Sequence, residues 1–246
     1  MYVDAHCHIF KEYYDDPKQV LNACTDVQVL VTGTNLETNR EMLGLKEQHV
    51  DVAMGAYPID LLEGLDINDA LAQIEENIDN IVAVGEIGMD FYHADKDTQK
   101  TQTDNITKLV NLANKHGKPI VVHSRKAEKE VIELLSNIAK TPVVNHCFSG
   151  KKGLIKQGVQ AGMYFTVPAN VVYSGHFQSL VKLVPITQLL TETDSPYLWR
   201  EYPNTPFNVR HAVEKIAEIK GMTVADVKAQ IYANYCNIFK THKKHV

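Results

Sequence analysis

Short apolar runs of strand length alternate with segments of helical spacing along almost the whole chain. The runs are Tyr2–His8, Val27–Thr34, Val50–Tyr57, Ile81–Met89, Pro119–Ser124, Pro142–Phe148, Met163–Val167 and Gln188–Asp194, several of them rich in Val and Ile. Near-continuous apolar character over so few residues predicts parallel strands buried on both faces. Between the runs, Ile67, Leu71, Ile74 and Ile78 recur every three to four residues, as do Ile106, Leu109, Val110 and Ala113, and then Ala127, Val131, Leu134, Leu135 and Ile138. That spacing predicts amphipathic helices, the second of which stops at Gly117 and Pro119. Shorter helices fit Pro17–Thr25, Glu37–Gln48, Lys151–Gln157 and Gly175–Leu183. After the last run, Thr205 and Pro206 open a helix carrying Val209, Val213 and Ile216. Thr223, with Asp226 three residues on, opens another in capping-box style.

Strands that alternate with helices predict a parallel sheet. Eight such units plus an extra C-terminal helix, in 246 residues, favour a closed (β/α)8 TIM barrel over an open doubly wound sheet. The absence of a GxGxxG or Walker-type loop points the same way. No linker or repeat divides the chain, so 1–246 reads as a single domain.

Composition changes this picture little. At 44% hydrophobic and 22% charged residues, the chain has an ordinary globular balance. It carries no apolar run of about 18 residues, so no membrane span is predicted. With no signal-like N-terminus either, the expectation is a cytoplasmic protein. The four cysteines (Cys7, Cys24, Cys147, Cys236) form no CxxC pair and suggest neither a zinc ribbon nor a disulfide framework. Cys7 and Cys147 alternate away from neighbouring histidines and read as small buried hydrophobes. The formal charge of −5 argues against a broad basic nucleic-acid surface. Positive charge for a phosphodiester would have to be local, and bound metal could supply it. The basic tail from Lys240 reads as a solvated end.

The chemistry is concentrated at strand ends. In Met1–Phe10, reading MYVDAHCHIF, His6 and His8 are two apart and share one strand face, while Cys7 points the other way. Glu86 lies near the end of the fourth run. His123 ends the fifth, His146 the sixth and Asp194 the eighth. The C-terminal ends of barrel strands are where such folds carry their active sites. Imidazoles and carboxylates buried there are costly unless paired or metal-bound. Four imidazoles and two carboxylates exceed the needs of one tetrahedral ion. They suit two divalent ions sharing Glu86, with His6, His8 and Asp194 on the first and His123 and His146 on the second. Such a pair can activate water and clamp a phosphodiester, with Asp194 as general base. Imidazoles favour zinc, while carboxylate and phosphate oxygens accept magnesium or manganese.

The segments DAHCHIF, VGEIGMDFY, PIVVHSR, NHCFSG and ETDSPYL, in this order and spacing, resemble the TatD family of metal-dependent hydrolases and DNases. The resemblance spans nearly the whole chain. It implies a TIM-barrel metallohydrolase, often a deoxyribonuclease, with His6, His8, Glu86, His123, His146 and Asp194 as metal ligands. One departure follows ETDSPYL. Many members continue with Arg-Asn-x-Pro, where this chain reads Trp199-Arg-Glu-Tyr-Pro-Asn-Thr-Pro-Phe, a loop expected to border the substrate.

Further candidates are weaker on residue type alone. Arg125 shares the face of His123 and could reach a phosphate oxygen. Tyr92, Phe148 and Trp199 could stack on bases, against the simpler reading of core or loop packing. Asp4 and Glu192, one layer deeper, could hydrogen-bond ligand imidazoles or play a buried structural role. Gly88 leaves room beside Glu86 or marks close packing. His93 lies just past the fourth run and could face the substrate, against the simpler reading of a solvated loop residue, and His49, His116, His176, His211, His242 and His245 read as surface residues. The leading expectation is a metal-dependent deoxyribonuclease acting on DNA ends or single strands, with no obligate protein partner. A binuclear amidohydrolase acting on a lactone, cyclic amide or deamination substrate is the alternative; Glu86 stands where many of those enzymes carry a modified lysine. A non-catalytic binding protein is the third reading, and retention of all six donors opposes it.

Overall fold

The computed structural model describes residues 1–239. His242, His245 and the basic tail lie outside the described residues. Eight strands form one sheet in sequential order: β1 (Tyr2–Cys7), β2 (Val27–Thr32), β3 (Val50–Met54), β4 (Ala83–Gly88), β5 (Ile120–His123), β6 (Val143–Asn145), β7 (Tyr164–Pro168) and β8 (Leu189–Glu192). Each of the seven consecutive pairs is parallel. Nearly every strand residue is buried, as Val- and Ile-rich runs covered on both faces require. Except for β7, which runs one residue further to Pro168, the ends fall on or up to three residues inside the limits of the predicted runs, and that difference matters at the site.

The barrel closes where β8 meets β1. Thr191 Oγ1 donates to the Val3 carbonyl at 2.6 Å, and the Thr193 N–H donates to Asp4 Oδ1 at 2.9 Å. Beyond the regular strands, the Asp194 N–H reaches the His6 carbonyl at 3.1 Å and the His8 N–H reaches the Ser195 carbonyl at 2.7 Å. The seam therefore runs through the residues that carry the candidate chemistry. Asn204 ties the 199–207 loop to it, donating to the carbonyls of Thr193 (3.0 Å) and Tyr197 (2.7 Å).

The helices are α1 (Pro17–Asn22), α2 (Leu36–Leu43), α3 (Pro58–Leu62), α4 (Ile67–Glu76), α5 (Gln99–His116), α6 (Glu128–Ile138), α7 (Lys152–Gln160), α8 (Gly175–Leu183), α9 (Val209–Lys220) and α10 (Val224–Phe239). Their ends obey local chemistry. Asp16 caps α1 just before Pro17, Asn35 and Thr38 form a capping box on α2, and left-handed Gly117 and Gly221 end α5 and α9. Thr205 and Pro206 open a single 3-10 turn, and α9 starts after it at Val209. No helix among the described residues is long and apolar enough to cross a membrane.

Two glycines let the strands approach closely around Glu86. A Cβ on Gly55 would sit 2.3 Å from the Glu86 carbonyl oxygen, and one on Gly88 would sit 1.9 Å from that of His123. Gly88, at φ +157°, thus marks close packing of β4 on β5.

Candidate active site

At the C-terminal end of the barrel, side chains from β1, β4, β5 and the turns after β6 and β8 converge. His6 is fully buried, and its Nε2 lies 3.1 Å from His8 Nε2. Two ring nitrogens this close must share a proton or a cation. Glu86, with a side chain 4% exposed, sits between two histidine pairs. Its Oε2 is 3.5 Å from His6 Nε2 and 3.3 Å from His8 Nε2. Its Oε1 is 2.8 Å from His123 Nδ1 and 3.7 Å from His146 Nε2. Asp194 Oδ1 stands 3.6 Å from His6 Nε2 and 3.8 Å from His8 Nε2. The donors fall into three overlapping groups able to hold a metal ion: His6–His8–Glu86, His6–His146–Asp194 and Glu86–His123–His146, with one donor atom per residue and all within 4.8 Å of one another in each group.

The outer nitrogens of these rings are also tied. His8 Nδ1 is 2.8 Å from the Thr32 carbonyl, and His146 Nδ1 is 2.9 Å from Glu192 Oε2. Such bonds set the tautomer and leave the inward nitrogen free to ligate. Glu192 thus takes the first of its two expected roles, bonding an imidazole, and it also accepts the Cys147 N–H. Asp4 takes the other, structural one. It accepts from Thr193 and from the His6 backbone N–H, so it braces the seam and touches no imidazole. The buried Nδ1 of His6 has no hydrogen-bond partner.

The charges respond to this crowding. Burial works against ionising Glu86, but hydrogen bonds from His123 and His8 and the charges of His146 and His6 hold its carboxyl well below the usual carboxylate range. Burial, followed by the His146 charge, pushes His6 down, which favours a neutral, metal-binding imidazole. Burial would also lower His146, yet Glu192 and Asp194 lift it to about 10. Burial lifts Asp194 to about 6 against the pull of His146 and His8. One buried carboxylate among four imidazoles, with a second at the rim, is the donor chemistry of a cation site.

These groups floor a cavity of about 520 Å³, walled by Phe10, Tyr13, Tyr57, Arg125, Tyr197 and Leu198. A second lobe of about 500 Å³ shares His123, Arg125, His146, Asp194 and Leu198, and is bounded by Tyr92, Lys126 and Cys147. Arg125 stands over the Tyr92 ring at 4.0 Å, and Tyr92 is 57% exposed.

Several expectations change here. Phe148 is fully buried against Phe165, with ring centroids 5.3 Å apart, and cannot stack on a substrate. β6 ends at Asn145 and Cys147 adopts φ +42°, so strand alternation has stopped before Phe148 is reached. For the same reason Cys147 is only half-buried, at the rim. His49 is buried, with Nε2 3.2 Å from the Leu21 carbonyl. His93 lines the cavity. Trp199 packs on His211, the rings 4.8 Å apart and nearly parallel.

Asp90 was not legible as a site residue. It is fully buried, and its Oδ2 accepts from His123 Nε2 (3.0 Å), His93 Nδ1 (2.8 Å) and Tyr57 Oη (3.0 Å). Burial opposes its charge, but the bonds from His123 and His93 outweigh that and hold its carboxyl well below the usual range. Its four-residue spacing from Glu86, on the same strand parity, was the available signal.

An eight-stranded parallel barrel with clustered imidazoles and carboxylates at its C-terminal mouth defines the metal-dependent hydrolase class. The family model for TatD related DNase matches residues 3–240. A metal-dependent hydrolase of Methanocaldococcus jannaschii is 34% identical over 246 residues, covering 97% of each chain. The human deoxyribonuclease TATDN3 is 30% identical over 257 residues, covering 96% of this chain and 94% of its own. Among solved structures, the TatD homologue YjjV of Escherichia coli superposes with a TM-score of 0.86 at 24% identity, covering 98% of both chains. The chain belongs to the TatD-related DNase family and is a metal-dependent hydrolase.

Proposed function

We propose that the protein is a deoxyribonuclease that hydrolyses phosphodiester bonds of DNA ends or single strands with two divalent cations. The observation that carries this reading is the position of Glu86, whose two oxygens face different histidine pairs. His6, His8 and Asp194 would complete one cation site, and His123 and His146 the other, with Glu86 common to both. When bound, such a pair polarises a phosphoryl oxygen and lets water act as nucleophile near neutral pH. Zinc, manganese and magnesium all match the mixed nitrogen and oxygen donors.

The chain's own residues do the rest. Glu192 and Asp90 orient the His146 and His123 rings. Asp194 takes a proton from the attacking water. Arg125 contacts a non-bridging phosphate oxygen, and Tyr92, beneath its guanidinium, offers a face to a base. DNA as the substrate is supported by what the human relative is called and by an arginine and an exposed tyrosine, Arg125 and Tyr92, beside the candidate cation ligands.

The test is cleavage of a fluorescent single-stranded oligonucleotide, run beside a panel of lactones and amides, with and without chelator. DNA cleavage that chelation abolishes and added metal restores is expected. Turnover of a lactone or amide without cleavage of DNA would replace this reading with the amidohydrolase one.

A further inference from the structure

His93 is held as a proton donor would be. Its Nδ1 is 2.8 Å from Asp90 Oδ2, so one ring proton is held toward that carboxylate and the second proton of the imidazolium sits on Nε2, the one free to be given up. That Nε2 takes no hydrogen bond among the described residues, the side chain is 45% exposed, and it lines the cavity that Glu86 and Asp194 line. The turn carrying it is braced by hydrogen bonds. Asp90 Oδ1 accepts the N–H groups of Tyr92 (2.7 Å) and His93 (2.8 Å). The buried Gln102 amide of α5 accepts from the Asp90 N–H (2.8 Å) and donates to its carbonyl (3.0 Å). A solvated loop histidine needs none of this bracing.

Its place in the barrel adds a second argument. His93 follows β4 and Asp194 follows β8, and in a closed sheet of order β1 to β8 those strands stand on opposite sides. An in-line displacement at phosphorus requires the base and the acid on opposite sides of the reacting atom.

We propose that His93 is the general acid of phosphodiester hydrolysis, delivering its Nε2 proton to the oxygen that leaves phosphorus. The inference rests on the phosphodiesterase reading above. Water forms a bond to phosphorus and gives one proton to Asp194. The bond from phosphorus to the leaving sugar oxygen breaks, its electron pair goes to that oxygen, and the oxygen takes the proton from His93. The products are a phosphomonoester and an alcohol. Asp194 loses its proton to solvent and His93 regains one from it. Asp90 is the positioning residue for both His93 and His123, so one carboxylate orients the donor ring and a cation-site ring.

The test is His93→Gln assayed on two kinds of substrate, single-stranded DNA and the p-nitrophenyl phosphodiesters of thymidine, with metal content and melting temperature measured alongside. A p-nitrophenolate leaves without being protonated, whereas a sugar oxygen needs the acid. Cleavage of DNA is expected to fall about 100-fold or more, while the activated esters change less than ~3-fold. Bound metal and melting temperature stay at the wild-type values. Equal losses on both substrates, no loss on either, or loss of metal from the variant would each overturn the assignment. A wild-type protein that cleaves no phosphodiester fails the underlying reading, and His93 falls with it. A wild-type protein that cleaves both substrates beside an unaffected variant fails the acid alone.

Discussion

The shared position of Glu86 predicts what happens when its charge is removed without changing its shape. In wild type, each cation supplied at about 100 times its Kd stabilises the fold by about 2.7 kcal/mol, so two contribute about 5 kcal/mol. For a chain of this length, each kcal/mol moves the melting temperature by roughly 2–4 °C. Added metal should therefore raise it by about 10–20 °C. Glu86→Gln removes the anionic oxygens that stand 3.3 Å from His8 and 2.8 Å from His123, and so weakens both ends of the cluster. The variant should bind fewer than two ions by elemental analysis, show less than about half of the thermal shift in a metal titration, and lose DNA cleavage. A Glu86→Gln protein that keeps two ions and the full shift would refute the bridging assignment. One that loses a single ion and about half the shift would show that Glu86 serves only one pair.

Two other perturbations test the surroundings of the cluster. Glu192→Ala removes the partner of His146 Nδ1 but no proposed ligand; metal affinity should drop about 10- to 100-fold in a chelator competition while the number of ions at saturation stays at two, and unchanged affinity would contradict the orienting role. Gly88→Ala forces a methyl group against the His123 carbonyl at a distance of 1.9 Å; urea unfolding should show a loss of at least about 3 kcal/mol, and a loss under about 0.5 kcal/mol would mean that β4 and β5 can separate freely.

The alternating pattern was enough to read the barrel and the proposed ligands, because parallel strands buried on both faces leave continuous apolar runs and polar residues at their ends stand out. His6, His8, Glu86 and His123 lie on or immediately after regular strands, where period two holds. Legibility stopped where the backbone left that period. Cys147 and Asp194 have φ of +42° and +53°, so residues beyond them turn in directions that a strand pattern cannot give. The stacking role weighed for Phe148 fails for this reason, and the core-packing reading holds. His49 was misread because its burial depends on the Leu21 carbonyl of α1, a partner 28 residues away. The parity of Asp90 with Glu86 was a weak signal because β4 ends at Gly88, two residues before it, and its three side-chain partners come from three parts of the chain.

The clasp between the first and last strands has a consequence for the kinetics of the molecule. Asp194 meets His6 only when segments 188 positions apart have been joined, since Thr191 to Val3, Thr193 to Asp4 and Asp194 to His6 form one continuous zipper. Contacts of such long sequence separation form late, after shorter loops have closed. An ion gripped across that zipper locks a door that shuts last, so it should hardly hasten the search for the native state and should mainly delay escape from it.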